Sequence, residues 1–243
     1  MRQLALDIGL RPHASLAGFV PGPNGAVREA LAGLAAGTLE GPVRLWGEAG
    51  TGKTHLLQAA CRAAHEAGRR CGYLPLAPPR DFGPGVLEGL EQLDLVCIDD
   101  LDAVAGEREW EVALLDLYHR LLETGGRLAA SGRARPDAGG GLPDLASRLA
   151  AGLVYGLRAL DDGDKLRVVR GRAEACGLVL APGAADYLLA RCQRDLGSLC
   201  AVVDRLDAAA LAARRRVTVP FIRSVLADVR GPTDIPPSAA DDA

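Results

Sequence analysis

Short apolar runs alternate with amphipathic stretches through the first two thirds of the chain, and the pattern then becomes purely helical. Val43 to Trp46 is a short apolar run that predicts a buried strand. Beyond it, Leu56, Leu57, Ala60, Ala63 and Ala64 recur at helical spacing, and Gly68 stands where a C-terminal cap belongs. Tyr73 to Leu76 predicts a short strand, which Pro75 assigns to a sheet edge. After the Pro78-Pro79 turn, Val86 to Leu93 predicts a short helix. Leu95, Val96, Cys97 and Ile98 then run into Asp99 and Asp100, the pattern of a strand buried on both faces and ending in a polar cleft. From Glu107 to Glu123, Trp110, Leu114, Leu117 and Leu121 share one helical face, and Gly125-Gly126 stops it. A strand at Arg127 to Ser131, a short helix at Leu142 to Ala150 and a strand at Leu153 to Leu157 complete this half.

Upstream, the turn cluster from Phe19 to Asn24 feeds a predicted helix from about Ala26 to Leu39. Residues 1–15 carry no sustained period and are expected to form a flexible leader. The alternation predicts an α/β doubly wound core over residues 16–159, with a parallel sheet and ligands at the carboxyl ends of its strands. From Asp161 the strands vanish. Helices are predicted at about 162–175, 183–192, 196–213 and 219–229, with Thr218 and Pro220 opening the last. A smaller all-helical unit is therefore expected over residues 160–230. Residues 231–243 hold three Pro and three Asp and are expected to be a disordered tail.

Composition narrows the picture. Aromatic residues make up only 4% of the chain against 49% hydrophobic, so the core has to be mostly aliphatic. A net charge of −3 gives no overall attraction to nucleic acid, and any such contact has to be local. The six cysteines form no C-x-x-C pair and the four histidines no ligand motif; dispersed in apolar surroundings, the cysteines read as buried free thiols of a reducing compartment. No uncharged run reaches the about 18 residues of a membrane span, and the N-terminus lacks a signal-like apolar core. The expectation is a cytoplasmic protein with no membrane partner. Arg214-Arg215-Arg216 ends a predicted helix, where cations complement the dipole, and reads as a solvated helix end.

The stretch with chemistry is Gly47-Glu48-Ala49-Gly50-Thr51-Gly52-Lys53-Thr54, a G-x-x-x-x-G-K-T phosphate-binding loop set between a strand and a helix. Its glycines let the backbone take positive φ and turn N–H groups towards a polyphosphate. Lys53 is placed to reach the β and γ phosphates, and the Thr54 hydroxyl is a hard oxygen ligand for Mg²⁺. The helix opening near Lys53 adds unpaired N–H groups and a positive dipole end. Only two of the 28 basic residues are lysine, so one of them at this position is not a product of composition. Asp99 and Asp100 are the natural partners of the loop: Asp99 to hold Mg²⁺ through water, Asp100 to orient or deprotonate an attacking water.

A phosphate loop, an acidic strand end and a helical second unit together resemble the AAA+ ATPases. Within them, Phe19-Val20 through Asn24, the GEAGTGKTHLLQA segment and Ile98-Asp99-Asp100 resemble the ATPase core of the initiator DnaA. Leu142-Pro143-Asp144-Leu145-Ala146-Ser147-Arg148-Leu149, with Asp161-Asp162-Gly163-Asp164-Lys165-Leu166 and Val219-Pro220-Phe221-Ile222, resembles the shorter Hda family of DnaA regulators. That resemblance implies an AAA+ core with a helical lid, binding ADP or ATP with Mg²⁺. The implied nucleotide-binding residues are Phe19, Val20, Gly47, Glu48, Ala49, Gly50, Thr51, Gly52, Lys53, Thr54, His55 and Asp99, with Thr54 and Asp99 serving the metal. It further implies binding to the DNA polymerase sliding clamp and stimulation of hydrolysis of DnaA-bound ATP.

On that resemblance Arg148 matches an arginine finger acting in trans; the alternative is a surface salt bridge. Gln3-Leu4-Ala5-Leu6-Asp7 is similar to a clamp-binding pentapeptide, through Gln3, Leu4 and Leu6; Asp7 departs from its apolar ending, and a floppy apolar leader is the alternative. Gly197 stands where the family carries a lid arginine, and Ser131 is the lone polar candidate at the tip of its strand. The chain is thus expected to be a weak ATPase that retains nucleoside diphosphate, to meet DNA only indirectly through the clamp, and to admit a homo-oligomer. Two rival readings remain: a self-sufficient ATPase acting as a DnaA-like loader or helper, and an adaptor with a vestigial nucleotide site.

Overall fold

A computed structural model of the protein describes residues 14–136, 143–193, 195–213 and 216–227. The leader residues Gln3, Leu4, Leu6 and Asp7, Arg214 and Arg215, and the tail lie outside the described residues. The chain divides into two compact units that part between Asp164 and Lys165.

In the first unit a 3-10 turn at Gly22–Asn24 leads into α1 (Gly25–Ala36), followed by β1 (Val43–Trp46), α2 (Lys53–Glu66), β2 (Cys71–Pro75), β3 (Leu95–Asp99), α3 (Arg108–Thr124), β4 (Arg127–Gly132), α4 (Pro143–Ala150) and β5 (Leu153–Gly156). The five strands form one sheet in the order β2-β3-β4-β1-β5. Every pairing is parallel. All strands therefore present their carboxyl ends on one side, where the loops after β1 and β3 carry the candidate chemistry. β2 is an edge strand, as Pro75 required.

Side-chain alternation divides the core between the two faces of the sheet. Val43 and Leu45 of β1 pack with Leu31, Leu34 and Leu57 of α1 and α2. On the opposite face Val96 and Ile98 of β3 and Leu128 of β4 pack with Leu114, Leu117 and Leu121 of α3 and Leu145 and Leu149 of α4. Each fully buried Leu or Ile contributes about 1.5–3 kcal/mol relative to exposure. Among the six cysteines, none of which is disulfide-bonded, Cys61 and Cys97 are buried as expected, whereas Cys71, Cys176, Cys192 and Cys200 are only half-buried.

Several elements depart from the sequence reading. α1 stops at Ala36 instead of Leu39, because Gly37 takes φ 76° and its N–H caps the helix. The helix expected over 86–93 is instead two 3-10 turns, Pro84–Leu87 and Leu90–Gln92, separated by Gly89 at φ 86°. β2 begins two residues earlier than expected, at Cys71.

The second unit, which α5 (Asp162–Ala175) enters, continues through α6 (Ala184–Arg191), α7 (Leu196–Ala213) and α8 (Val219–Ala227). Leu188, Leu199, Val203, Leu206 and Ile222 form its own core. Two helix starts carry aspartate caps that the sequence reading did not single out: Asp161 Oδ1 accepts from Asp164 N at 2.7 Å, and Asp195 Oδ1 from Ser198 N at 2.8 Å. An isolated parallel bridge between Leu180 and Val217 is an addition to the helices expected there.

The ends of the first unit are clasped by one residue. Buried Asn24 donates through Nδ2 to Arg158 O and accepts from Arg158 N through Oδ1, both at 2.9 Å. Removing that amide leaves two backbone groups unpaired, so Asn24→Ala is expected to lower stability by about 2 kcal/mol in urea unfolding. A change below a few tenths would show the clasp to be idle.

Candidate functional site

Three glycines with positive φ shape the turn after β1: Gly47 at 144°, Gly50 at 77° and Gly52 at 97°. At Gly47 a side chain is excluded twice, because a Cβ there would lie 2.7 Å from the Leu157 carbonyl. Glu48, Ala49 and Gly50 form an exposed lip. Buried Thr51 pins the loop from within, its hydroxyl donating to Glu48 O at 2.8 Å. α2 opens at Lys53 directly after Gly52, so its unpaired N–H groups face the loop.

Lys53 is buried, and its ammonium donates to Gly47 O at 2.6 Å and Glu48 O at 2.8 Å. Burial lowers its pKa, while the nearby Asp100 and Asp99 carboxylates oppose that shift. A cation sunk in a cradle of backbone amides calls for a strong counter-charge, and a polyphosphate supplies one.

The acidic pair closes the other side. Asp99, at the end of β3, is almost fully buried; its Oδ2 accepts from the Tyr73 hydroxyl at 2.8 Å and its Oδ1 from the Ser131 hydroxyl. Each carboxylate oxygen still has capacity to accept from a metal-bound water. Asp100 sits in the left-handed region at φ 57°, and its N–H donates to Ser131 Oγ at 3.1 Å. Desolvation, and then the charge of Asp99, raises the Asp100 pKa. A carboxylate whose proton affinity is raised in a half-buried cleft suits general-base work. The Tyr73 phenol is likewise held protonated, by burial and then by Asp99, and remains a donor.

β4 lies between β3 and β1 in the sheet, and Ser131 at its tip holds both Asp99 and the Asp100 N–H from beside the strand that feeds the phosphate loop. Phe19 is buried, with a ring edge 3.4 Å from the Cβ position of Gly52, and it stacks on His55 at 6.0 Å between centroids. His55 Nε2 also contacts Ser15 O at 3.2 Å. Val20 beside it is half-buried. The fold thus gathers Phe19, the 47–55 segment, Asp99 and Asp100. The half-buried Thr54 heads α2 one residue after Lys53, the position from which its hydroxyl would serve Mg²⁺. These residues fit a Mg²⁺-nucleotide, which when bound would supply metal-neutralised phosphates.

Arg148 stands on a separate element. It is exposed on α4, whose opposite face is anchored by buried Leu145 and Leu149. Among the described residues no hydrogen bond or ion pair holds its guanidinium. Gly197 is exposed in the first turn of α7, and Arg216 is exposed beyond that helix.

Sequence reasoning missed Tyr73, whose hydroxyl caps Asp99, and the pairing of buried Arg44 with the exposed Asp102, 3.6 Å apart. A guanidinium inside the otherwise apolar β1 was the available signal for the second.

Comparison with known proteins adds a family-model match over part of the chain and a fold. Residues 162–226 match the family model described as the lid domain of Hda. Domain III of the replication initiation protein DnaA from Thermotoga maritima superposes with a TM-score of 0.72 at 21% identity, over 91% of this chain and 98% of that one. A replication initiator DnaA bound to AMPPCP and single-stranded DNA gives 0.68 at 21% identity, over 91% and 70%. The Thermotoga maritima RuvB Holliday junction branch migration motor gives 0.65 at 17% identity, over 90% and 72%.

Lys53→Ala removes the cation that the cradle is built around. It is expected to weaken ADP binding at least ~100-fold in calorimetric titration, a loss of roughly 2.7 kcal/mol, with the circular dichroism spectrum unchanged. Unaltered affinity would remove the loop from the account.

Proposed function

We propose, from the premise that this chain is a DnaA/Hda-like AAA+ protein, that it regulates replication initiation by stimulating hydrolysis of ATP held by DnaA. The supporting observation is the disposition of Arg148: exposed, on a short rigid helix, and uncommitted to any partner in its own subunit among the described residues. A guanidinium so placed can enter a neighbour's site and stabilise charge developing on a γ-phosphate.

In this reading the chain's own site holds ADP or ATP with Mg²⁺, through the 47–54 loop, Thr54 and Asp99. A DnaA crystallised with AMPPCP on the same fold supports that assignment. Gln3, Leu4 and Leu6 bind the sliding clamp, which brings the regulator to DNA without direct contact. No described helix is long and apolar enough to cross a membrane, in keeping with a cytoplasmic role.

A second reading draws on Asp100. Its raised proton affinity beside Lys53 favours intrinsic hydrolysis, and with it a self-sufficient loader or helper. Fast multiple turnover by the isolated protein would select that reading. Slow turnover with retained diphosphate fits the regulator.

With purified DnaA-ATP and loaded clamp, Arg148→Ala is expected to reduce stimulated hydrolysis by roughly 10³-fold while nucleotide and clamp binding persist. Full stimulation by the variant would end the finger assignment. Replacing Gln3 and Leu4 together by Ala is expected to abolish clamp capture in a pull-down, and undiminished capture would detach the leader from that role.

A further inference from the structure

The sheet face opposite α1 and α2 contains a cavity that the nucleotide site does not use. It has a volume of about 100 Å³ and lies between β1, the turn after Asp100, α3 and α4. Val104, Leu114, Leu145 and Leu149 give it apolar walls. Its polar lining is Arg44, Asp102, Glu111 and Arg135.

Arg44 makes this space unlike a packing defect. Its side chain is only 5% exposed, yet it rises from the middle of β1 into the cavity wall. One arm of the guanidinium is occupied, with Nη2 3.6 Å from Asp102 Oδ1. The other, Nη1, is buried and has no hydrogen-bond partner among the described residues. Leaving such a donor unmet costs roughly 1–3 kcal/mol, more when it is charged. Its desolvation is felt, since burial lowers the Arg44 pKa.

The two carboxylates of the lining do not fill the need. Asp102 is committed to Arg44 Nη2 and to the Arg133 N–H. Glu111, itself buried, accepts from Gly106 N at 2.8 Å. Arg135, at the exposed rim, lies over the Trp46 ring at 5.7 Å. The lining balances two positive against two negative groups, and Arg44 Nη1 is the buried donor left without an acceptor among the described residues. What it lacks is an acceptor on a small, partly apolar body. The volume exceeds several-fold the roughly 10–15 Å³ that one water requires.

We propose that this cavity is a binding site for a small free monocarboxylate of acetate to butyrate size, its carboxylate received by Arg44 Nη1 and its alkyl stem packed against Leu114, Leu145 and Leu149. Guanidinium and carboxylate match in charge and planar geometry. The site needs neither nucleotide nor a partner protein, so its test stands apart from the regulatory role proposed above.

The test uses the full chain saturated with ADP, titrated with sodium propionate against sodium chloride at matched ionic strength. Propionate is expected to raise the melting temperature saturably, by about 3 °C at saturation, with no such rise in chloride. Arg44→Met, which keeps the stem and removes the donor, abolishes the rise measured from its own baseline. Ala146→Leu, which fills the cavity from α4 with Arg44 intact, abolishes it too, so the proposal stays testable if Arg44→Met fails to fold. An equal rise in chloride, a rise that survives in Ala146→Leu, or a crystal grown in saturating propionate with only water on Arg44 Nη1 would each overturn the site.

Discussion

A buried ammonium sets the terms for the first unit. Lys53 has left bulk water for a pocket of loop carbonyls, with two carboxylates across the cleft and an amide-lined turn around it. Such a cation is tolerable only where donors and acceptors are fixed before a ligand arrives, because reorganising them at the moment of binding would consume the affinity they supply. The glycines, the Thr51 pin and the helix start at Lys53 can all be understood as holding that arrangement still. In the proposed reading, a nucleotide's phosphates would supply the counter-charge that such a cation calls for.

Sheet order explains why the acids take part. β4 separates β1 from β3, so a phosphate loop and an acidic strand end are not neighbours by sequence or by pairing. Ser131 holds the Asp99 carboxylate from the intervening strand, and Tyr73 reaches the same carboxylate from the far edge. Asp99 is thereby oriented from both sides and Asp100 is turned into the left-handed conformation that aims it into the cleft. The two acids thus differ in surroundings: Asp99 is fixed by two hydroxyl donors, while desolvation and Asp99 raise the pKa of Asp100.

Much of this was legible in the residues, for identifiable reasons. The strand–loop–helix order around Gly47 to Thr54 and the hydrophobic run into Asp99-Asp100 carry local signals that no tertiary context had to supply. The helix start at Thr218 was equally readable, since capping is a matter of a few adjacent residues. What failed depended on single backbone choices or on distant contacts. The residues from Val86 to Leu93 have a helix-compatible pattern, but Gly89 takes positive φ and breaks it into two tight turns. Arg44 passed unremarked within a run read as apolar, and only the packing of α4 over that face shows it to be enclosed. Tyr73 gave no hint of its hydroxyl's partner, which lies 26 positions away.

The Asn24–Arg158 clasp bears on how the protein emerges during synthesis. Gly47 abuts the Leu157 carbonyl, and Leu157 N donates back to Trp46 O at 2.8 Å, so the wall behind the phosphate loop is laid down more than a hundred positions after the loop itself. A nascent chain that has exposed Lys53 but not yet delivered β5 has its anion cradle without its backing. A nucleotide site of the proposed kind would therefore be complete only once the whole α/β unit has cleared the ribosome.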